Sequence, residues 1–339
     1  MLGVVLTRFG GVDCFSAQEL PEVAPAAHEI RIGVRAIGFN PVDVAMRQGR
    51  LGGTPPMVIG RDVSGVVEAV GDSVTRFSVG DHVYARNTGA YAESVVVPSV
   101  LVAHKPKSLS FAQAAAFPVA GLTAYQCLEK ANVQPGQPVL VAGASGGVGS
   151  IAMQLLRYLG ACPIIATAGS AASAEYLIQT LGVPPEGVLR YDGKSLDELT
   201  AEVMRMAGGR LVQGAFDFVG QQMKRLCFAV VGVDGHVVTI VEEPPGFDLD
   251  VWDEHTSPLV LRSASLHFVQ LAARLAYAPE ETWPIYGRQL ETLAHMIDAG
   301  HIAPVAITDV GPFSLEAVRR AHTLLEGRHV QGKLIATVT

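Results

Sequence analysis

A glycine-rich turn, GASGGVG at residues 143–149, is the sequence feature that most constrains how this chain can fold. It follows an apolar run at 139–142, typical of a buried strand, and opens a segment at 147–159 with apolar residues at helical spacing. In such a strand–turn–helix unit the glycines let the backbone approach a pyrophosphate, and the helix N-terminus offers that anion free N–H groups. The turn therefore predicts a dinucleotide site. Its candidate contacts are Ser145, Gly146, Gly147 and Val148.

Strands and helices alternate in the residues that follow this turn. Short apolar runs separated by helical stretches predict further strands at 164–167, 188–191, 215–219, 236–240 and 265–269. Such alternation is typical of a parallel sheet covered on both faces, so the predicted fold class is α/β with a doubly wound sheet. Ligands of these sheets bind at the carboxyl ends of the strands. The candidate cofactor contacts there are Val219, Ile240, Val241, Phe268 and Val269.

The flanking regions follow different patterns. In the first third, residues 30–35 alternate between apolar and polar or small, and turn glycines separate candidate strands at 63–70, 82–86, 91–97 and 101–104. We expect this part to be all-β. The tail holds two amphipathic helices, ending at Gly300 and Gly327, and a final strand at 334–338. The predicted organisation is a discontinuous domain, 1–121 with 271–339, around an inserted dinucleotide-binding domain at 122–270.

The residues after the glycine-rich turn indicate which dinucleotide is bound. Sites specific for NAD usually carry Asp or Glu about 20 residues further on, where it bonds the ribose 2′-hydroxyl. From Ser150 to Ala174 this chain has no acidic residue, and the expected position falls among small, neutral residues. The absence of a carboxylate that would repel a 2′-phosphate favours NADPH over NADH. The candidate contacts are Ala168, Gly169 and Ser170, with Arg190 and Tyr191 at the end of the next strand.

Composition excludes several other classes. The formal charge is −7 and no basic run is present, which argues against nucleic-acid binding. The four cysteines are widely spaced and the ten histidines are scattered, so neither a disulfide framework nor a metal-ligand motif is predicted. No apolar stretch approaches the roughly 18 residues of a membrane span. We expect a soluble, cytoplasmic protein that binds no metal.

The order of several short segments resembles the medium-chain dehydrogenase/reductase superfamily, and within it the zinc-independent quinone oxidoreductase branch. These segments are AIGFNPVD (36–43), IGRDVSGVV (59–67), VGDHV (79–83), GAYAE (89–93), AGLTAY (120–125) and GKL (332–334). The resemblance implies a GroES-like β-barrel catalytic domain, built from both termini, around a Rossmann domain. It also implies that catalytic zinc is absent. Where zinc-dependent relatives carry Cys, His and Cys, this chain has Asn40, Arg61 and Val119, and residues 86–97 contain no cysteine for a structural zinc.

The resemblance also assigns roles to individual residues. Asn40 and Asp43 are the candidate catalytic residues, with Asn40 facing nicotinamide and substrate and Asp43 in a structural role, for example paired with Arg47. The candidate cofactor contacts implied by resemblance are Asn40, Pro41, Thr123 and Lys333. Relatives often carry a tyrosine proton donor shortly after Asn-x-x-Asp, but Val44, Ala45 and Leu51 occupy that stretch here. Tyr84 and Tyr91 could substitute, although barrel packing is the expected role of both.

These observations predict a zinc-independent NADPH:quinone oxidoreductase acting on a small electrophilic acceptor. Without a metal to activate an alcohol, reduction of an already electrophilic quinone or enone is the easier chemistry. An alkenal or enone reductase, a reductase in polyketide or fatty-acyl metabolism, and a non-catalytic NADPH-binding protein are the alternatives. The apolar segment 263–271 would form an edge strand of the sheet, which predicts a homodimer.

Overall fold

The structure is a computed structural model and describes residues 1–249, 251–327 and 330–338. The strands are β1 (Leu2–Leu6), β2 (Phe15–Glu19), β3 (Glu29–Phe39), β4 (Met57–Val58), β5 (Asp62–Val70), β6 (His82–Arg86), β7 (Ser94–Pro98), β8 (Val102–His104), β9 (Val139–Ala142), β10 (Ile164–Ala168), β11 (Val188–Arg190), β12 (Val212–Asp217), β13 (Val231–Thr239), β14 (Ser265–Phe268), β15 (Ile307–Pro312) and β16 (Lys333–Thr337). The helices are α1 (Pro41–Arg47), α2 (Phe111–Ala114), α3 (Pro118–Ala131), α4 (Gly147–Tyr158), α5 (Ala171–Gln179), α6 (Leu196–Met206), α7 (Gln222–Val230), α8 (Pro258–Leu261), α9 (Ala273–Tyr277), α10 (Pro284–Asp298) and α11 (Leu315–Glu326). Contacts divide the chain into two compact units, Met1–Leu122 with Ala272–Thr339, and Thr123–Leu271.

The first unit is built on two sheets. A seven-stranded sheet has the order β15-β16-β3-β5-β6-β8, with β7 also paired to β3, and a smaller sheet has the order β2-β1-β4. Strand β3 crosses the centre and pairs antiparallel with β5, β7 and β16. The C-terminal strand β16 therefore joins the N-terminal strands directly, which brings Lys333 beside the end of β3.

The second unit contains the doubly wound sheet. Its six parallel strands have the order β11-β10-β9-β12-β13-β14. The direction of winding reverses between β9 and β12, and ligands of such sheets bind outside the carboxyl ends at this point. A core of buried apolar residues, including Leu140, Val212 and Leu226, packs the helices against the strands. The predicted α/β fold class is confirmed.

Several local expectations were wrong. The first third is not all-β, because α1 and α2 interrupt it. Strand β7 begins at Ser94 and not at 91, and β12 spans Val212–Asp217, ending two residues before the expected end at 219. The sequence interpretation also missed β15, which contains Gly311 and Pro312, residues that usually break strands. This strand is held by parallel pairing with β16.

The helix caps followed the expected chemistry. The Ser314 hydroxyl accepts a hydrogen bond from the Ala317 N–H and so caps α11. Gly160 and Gly300 follow the C-caps of α4 and α10 with φ of +77° each, a conformation that favours glycine. Within the described residues, no helix is long and apolar enough to cross a membrane.

Candidate functional site

The glycine-rich turn joins the carboxyl end of β9 to the start of α4. Gly143 has a φ of +83°, and the Gly146 N–H donates to its carbonyl oxygen at 3.1 Å. A Cβ on Gly149 would lie 2.1 Å from that same oxygen, so the helix can approach the turn this closely only with glycine at 149. The sequence pattern is thus a geometric requirement of this turn.

The start of α4 is suited to an anion. Its N-cap residue is Gly146, which has no side chain to cap the first N–H groups. These groups and the positive end of the helix dipole are left for a ligand. A pyrophosphate fits this cradle, because Gly146 and Gly147 place no Cβ in its way.

A second group of predicted residues gathers at the end of β10. Ala168 ends that strand opposite Arg190 of β11, and Ser170 caps α5 by accepting from the Ser173 N–H at 3.1 Å. The Tyr191 ring covers Gly169, since a Cβ on Gly169 would lie 2.4 Å from the Tyr191 hydroxyl oxygen. The Arg190 guanidinium instead pairs with Asp192, with 2.7 Å between Nε and Oδ1.

The predicted strand-end residues lie on the loops after β12, β13 and β14. Val219 lies beside the turn, because a Cβ on Gly143 would approach its Cγ2 to 2.9 Å. Ile240 and Val241 follow β13 directly, while Phe268 is the last residue of β14 and Val269 follows it. Phe268 is 69% exposed.

Asp217, which sequence reasoning missed, positions two of these loops. Its Oδ1 accepts from the N–H groups of Val219 (3.1 Å) and Gly220 (2.7 Å), and its Oδ2 accepts from the Thr239 hydroxyl at 2.8 Å. Buried Lys224 adds a second tie, donating to the Val241 carbonyl at 2.9 Å and lying 2.7 Å from Glu243 Oε1. A polar residue at the carboxyl end of an apolar strand was the available signal for Asp217.

In the first unit, the predicted residues Asn40 and Lys333 form a buried hydrogen-bonded group with Asp62. Asn40 donates from Nδ2 to Asp62 Oδ2 at 2.9 Å, and Lys333 Nζ donates to Asn40 Oδ1 at 2.5 Å and to Asp62 Oδ2 at 3.0 Å. The other Asp62 oxygen accepts from the Val119 N–H at 2.8 Å. All three side chains are buried. Lys333 uses two of its three N–H donors in this group.

The local sequence explains how Asn40 is presented. Asn40 is the N-cap of α1 and Pro41 is its first residue, where the fixed φ of proline suits a helix start. Asp43 reaches back and accepts from the Asn40 backbone N–H at 2.9 Å. The Asn40 side chain is thereby left to contact Asp62 and Lys333. Thr123, the remaining predicted contact, is buried in α3 of the other unit.

Asp43 belongs to a buried chain of hydrogen bonds that sequence reasoning did not find. The Tyr91 hydroxyl donates to Asp43 Oδ2 at 3.1 Å and lies 3.0 Å from His322 Nε2. His322 Nδ1 is buried and has no hydrogen-bond partner among the described residues, so Nε2 makes the ring's hydrogen bond, to the Tyr91 oxygen. Burial raises the pKa of Asp43 to about 7 and lowers that of His322 to about 3. Burial also raises the pKa of Tyr91 well above its usual value.

One expectation for this region was wrong and another was incomplete. Asp43 does not pair with Arg47, whose Nη2 instead contacts Glu326 of α11. Tyr91 does more than pack in the barrel, since it joins Asp43 to His322. Tyr84 fills a buried position and donates to the Leu290 carbonyl at 2.5 Å.

The zinc-ligand positions of related dehydrogenases can be compared with this geometry. The Asn40 amide is engaged by Asp62 and Lys333, Arg61 carries a cationic side chain, and Val119 contributes only a backbone N–H to Asp62. These side chains do not fit a catalytic zinc. Across residues 1–249, 251–327 and 330–338, no group of three or more potential ligands gathers. His329 lies outside the described residues.

Comparison with known proteins identifies the family. Residues 26–107 match the alcohol dehydrogenase GroES-like domain, and residues 191–335 match the zinc-binding dehydrogenase family. The chain is 30% identical over 334 residues to the quinone oxidoreductase of Salmonella typhimurium, covering 96% of each protein. The chain belongs to the medium-chain dehydrogenase/reductase superfamily. The resemblance drawn from the short segments is therefore confirmed.

Two further members of the superfamily bear on the choice of function. The 2-methylene-furan-3-one reductase of tomato, Solanum lycopersicum, is 30% identical over 345 residues, covering 97% of this chain and 77% of that protein. The crystal structure of Escherichia coli quinone oxidoreductase complexed with NADPH superposes with a TM-score of 0.83 at 27% identity, covering 99% of this chain and 100% of that one.

Proposed function

We propose that this chain is an NADPH-dependent reductase that transfers hydride to quinones without zinc. The observation that carries the proposal is the buried Asn40–Asp62–Lys333 group, whose Asn40 takes the position that the resemblance gives to a zinc ligand in zinc-dependent relatives. It supplies hydrogen-bond donors and a fixed ammonium without any metal ligand. An electrophilic carbonyl needs no more activation than this to accept hydride.

The residues that would hold the pyrophosphate and the ribose with the 2′-phosphate lie in the second unit. The turn at 143–149 and the start of α4 would take the pyrophosphate, and Ser170 with Tyr191 would take the ribose carrying the 2′-phosphate. Bound NADPH supplies a hydride from C4 of its nicotinamide. Asp217 and Lys224 keep the loops that carry Val219 and Val241 in position.

The first unit would bind and polarise the acceptor. Lys333 has one N–H free of the hydrogen bonds to Asn40 and Asp62, and Asn40 has a second amide N–H. Both can donate to the acceptor carbonyl oxygen. As hydride adds, negative charge develops on that oxygen, and the nearby ammonium stabilises it. A proton from solvent completes the hydroquinone, so one hydride and one proton are consumed.

Reduction of an enone is the second candidate function. It is favoured by the 30% identity to the tomato 2-methylene-furan-3-one reductase, whose named substrate is an enone. The same Lys333 and Asn40 donors would stabilise the enolate that forms when hydride adds to the conjugated C=C bond. The acceptor oxygen thus carries the developing charge in both reactions.

Steady-state NADPH oxidation with an ortho-quinone, such as phenanthrenequinone, and with an enal separates these candidates. The proposal expects a higher kcat/KM for the quinone and at least a tenfold lower kcat in Lys333→Met, measured at a temperature at which circular dichroism shows the variant folded, as typical of losing one oxyanion donor. Lys107→Met is the matched control, because Lys107 is exposed. Faster turnover of the enal would make enone reduction the favoured function. Cofactor binding without turnover of any acceptor would favour a non-catalytic role.

We further propose that the protein forms a homodimer through β14. This strand is the edge of the parallel sheet and ends in the exposed Phe268, and unpaired edges of this kind invite pairing with a second copy. Light scattering of the wild type and of Phe268→Lys tests it. A dimer that dissociates in the variant supports the proposal, and a monomeric wild type contradicts it.

A further inference from the structure

Two buried arginines lie in the first unit, one just before β5 and one at the end of β6. Arg86 ends β6 directly opposite Asp62 in the antiparallel ladder, and Arg61 is the residue just before Asp62. Arg61 is 9% exposed and Arg86 only 4%. Arg61, Asp62 and Asp43 each act electrostatically on the Arg86 guanidinium, so these charges share one buried region.

Neither guanidinium makes a side-chain hydrogen bond or ion pair among the described residues. No hydrogen bond or ion pair joins Arg61 or Arg86 to another side chain in that part of the protein, and Arg86 Nε is fully buried without any hydrogen bond. The neighbouring carboxylate Asp62 is already engaged by Val119, Asn40 and Lys333. Both arginines thus keep free donors.

The charges of this region do not balance. Arg61, Arg86 and Lys333 contribute three positive charges, and Asp62 and Asp43 are the carboxylates that interact with them. Burial raises the pKa of Asp43 to about 7, so this carboxyl is only partly ionised at neutral pH. Burial, and to a smaller extent the nearby Arg61 charge, lower the pKa of Arg86 to about 10. One to two positive charges remain uncompensated.

An uncompensated buried cation is costly unless a ligand supplies the opposite charge. A guanidinium fork matches a carboxylate in shape and can bind both of its oxygens. We infer that Arg61 and Arg86 form a recognition site for an anionic group on the acceptor. The substrate class is then a quinone or enone that carries a carboxylate or a comparable fixed negative charge. This inference rests on the proposed reductase function.

A matched pair of acceptors tests the selectivity. NADPH oxidation is measured with a neutral naphthoquinone and with the same ring carrying a carboxylate, in the wild type and in Arg61→Gln and Arg86→Gln. We expect the wild type to prefer the carboxylated acceptor in kcat/KM, and this preference to fall about tenfold to hundredfold in each variant. Arg76→Gln is the matched control, because Arg76 is a partly exposed arginine of the same unit, paired with Glu291. No preference in the wild type, or a preference that survives both substitutions, overturns the inference.

A measurement without turnover separates this inference from the proposed function. Titration calorimetry with naphthoate, which cannot be reduced by hydride, should show binding to the wild type and a tenfold or greater loss in Arg86→Gln. Arginine-dependent naphthoate binding with no turnover of any acceptor would leave the anion site standing while the reductase proposal fails. Quinone turnover with no naphthoate binding would support the reductase proposal and overturn the anion site.

Thermal unfolding distinguishes a ligand-binding role of Arg86 from a purely structural one. Arg86→Met keeps the apolar stem and removes an unpaired buried cation, so the ligand-free variant should unfold at the same or a higher temperature than the wild type. Naphthoate should raise the unfolding temperature of the wild type and not that of the variant. A variant that unfolds well below the wild type would show that Arg86 is balanced within the protein, and would contradict the inference.

Discussion

The ammonium group of Lys333 lies 2.5 Å from Oδ1 of Asn40, although the two residues are 293 positions apart in the chain. The same ammonium lies 3.0 Å from Asp62 Oδ2, with both side chains almost completely buried. The antiparallel pairing of β16 with β3 creates this contact, because it sets Leu334 opposite Phe39. The C-terminal strand thereby completes a site that the N-terminal strands begin.

Removing the Lys333 charge should destabilise the protein strongly. Lys333→Met leaves the buried Asp62 carboxylate without its cation, and breaking such a pair from one side costs about 3–5 kcal/mol. Urea unfolding measures the change. The double variant Lys333→Met/Asp62→Asn should recover much of the loss, because neither charge of the Lys333–Asp62 pair is then left without the other. A loss below about 1 kcal/mol in the single variant would contradict the buried pair.

Asp43 should make the protein less stable as pH rises. Its folded pKa of about 7 exceeds the unfolded value of 3.8, so the folded state holds a proton that the unfolded state releases between these values. The contribution is complete below pH 3.8 and is lost as pH rises through about 7. Relative to the wild type, Asp43→Asn should therefore gain up to about 4 kcal/mol between pH 4 and pH 7. A difference in unfolding free energy that stays flat across this range would refute the assignment.

His322 should make the protein less stable as pH falls. Its pKa falls from 6.5 to about 3 in the folded state, so the contribution is complete above pH 6.5 and is lost as pH falls toward 3. The wild type should lose up to about 5 kcal/mol relative to His322→Phe over that interval. Chemical denaturation at a series of pH values tests this. The exposed residue His28 provides the control, since His28→Phe should change stability by less than about 0.5 kcal/mol.

The glycine-rich turn should tolerate no side chain at position 149. In Gly149→Ala the new Cβ would meet the Gly143 carbonyl at 2.1 Å, which forces α4 away from β9 and disturbs the anion cradle. We expect at least a tenfold loss of NADPH affinity in a fluorescence titration, with a stability loss of about 1–3 kcal/mol. In the control Gly187→Ala the nearest atom lies 3.3 Å away, at the amino end of β11. Equal NADPH affinity in both variants would contradict the proposal that this turn and the start of α4 bind the pyrophosphate.

Local patterns predicted the second unit well. Strand β9, the turn at 143–149 and helix α4 (Gly147–Tyr158) were predicted from periodicity and turn chemistry, because these elements are fixed by neighbouring residues. Helix α1 was not predicted. Asn40, Pro41 and Asp43 form a typical helix start, but the predicted strands on either side favoured a turn.

The chemical group around Asn40 could be predicted only in part. Asn40, Asp43 and Lys333 were proposed from the family resemblance, but their contacts depend on strand pairings between distant parts of the chain. Arg86 and His322 gave no signal at all. Each is an ordinary polar residue in sequence, and only burial against partners from other elements gives it an unusual pKa.

Metal analysis combined with NADPH:quinone kinetics tests the central claim most directly. The protein is purified, treated with a strong chelator, assayed for zinc and then for NADPH oxidation with an ortho-quinone. The account predicts full activity in protein that carries no stoichiometric zinc, with no gain when zinc is added back. One zinc per chain, with activity that disappears on its removal and returns on its addition, would contradict the account.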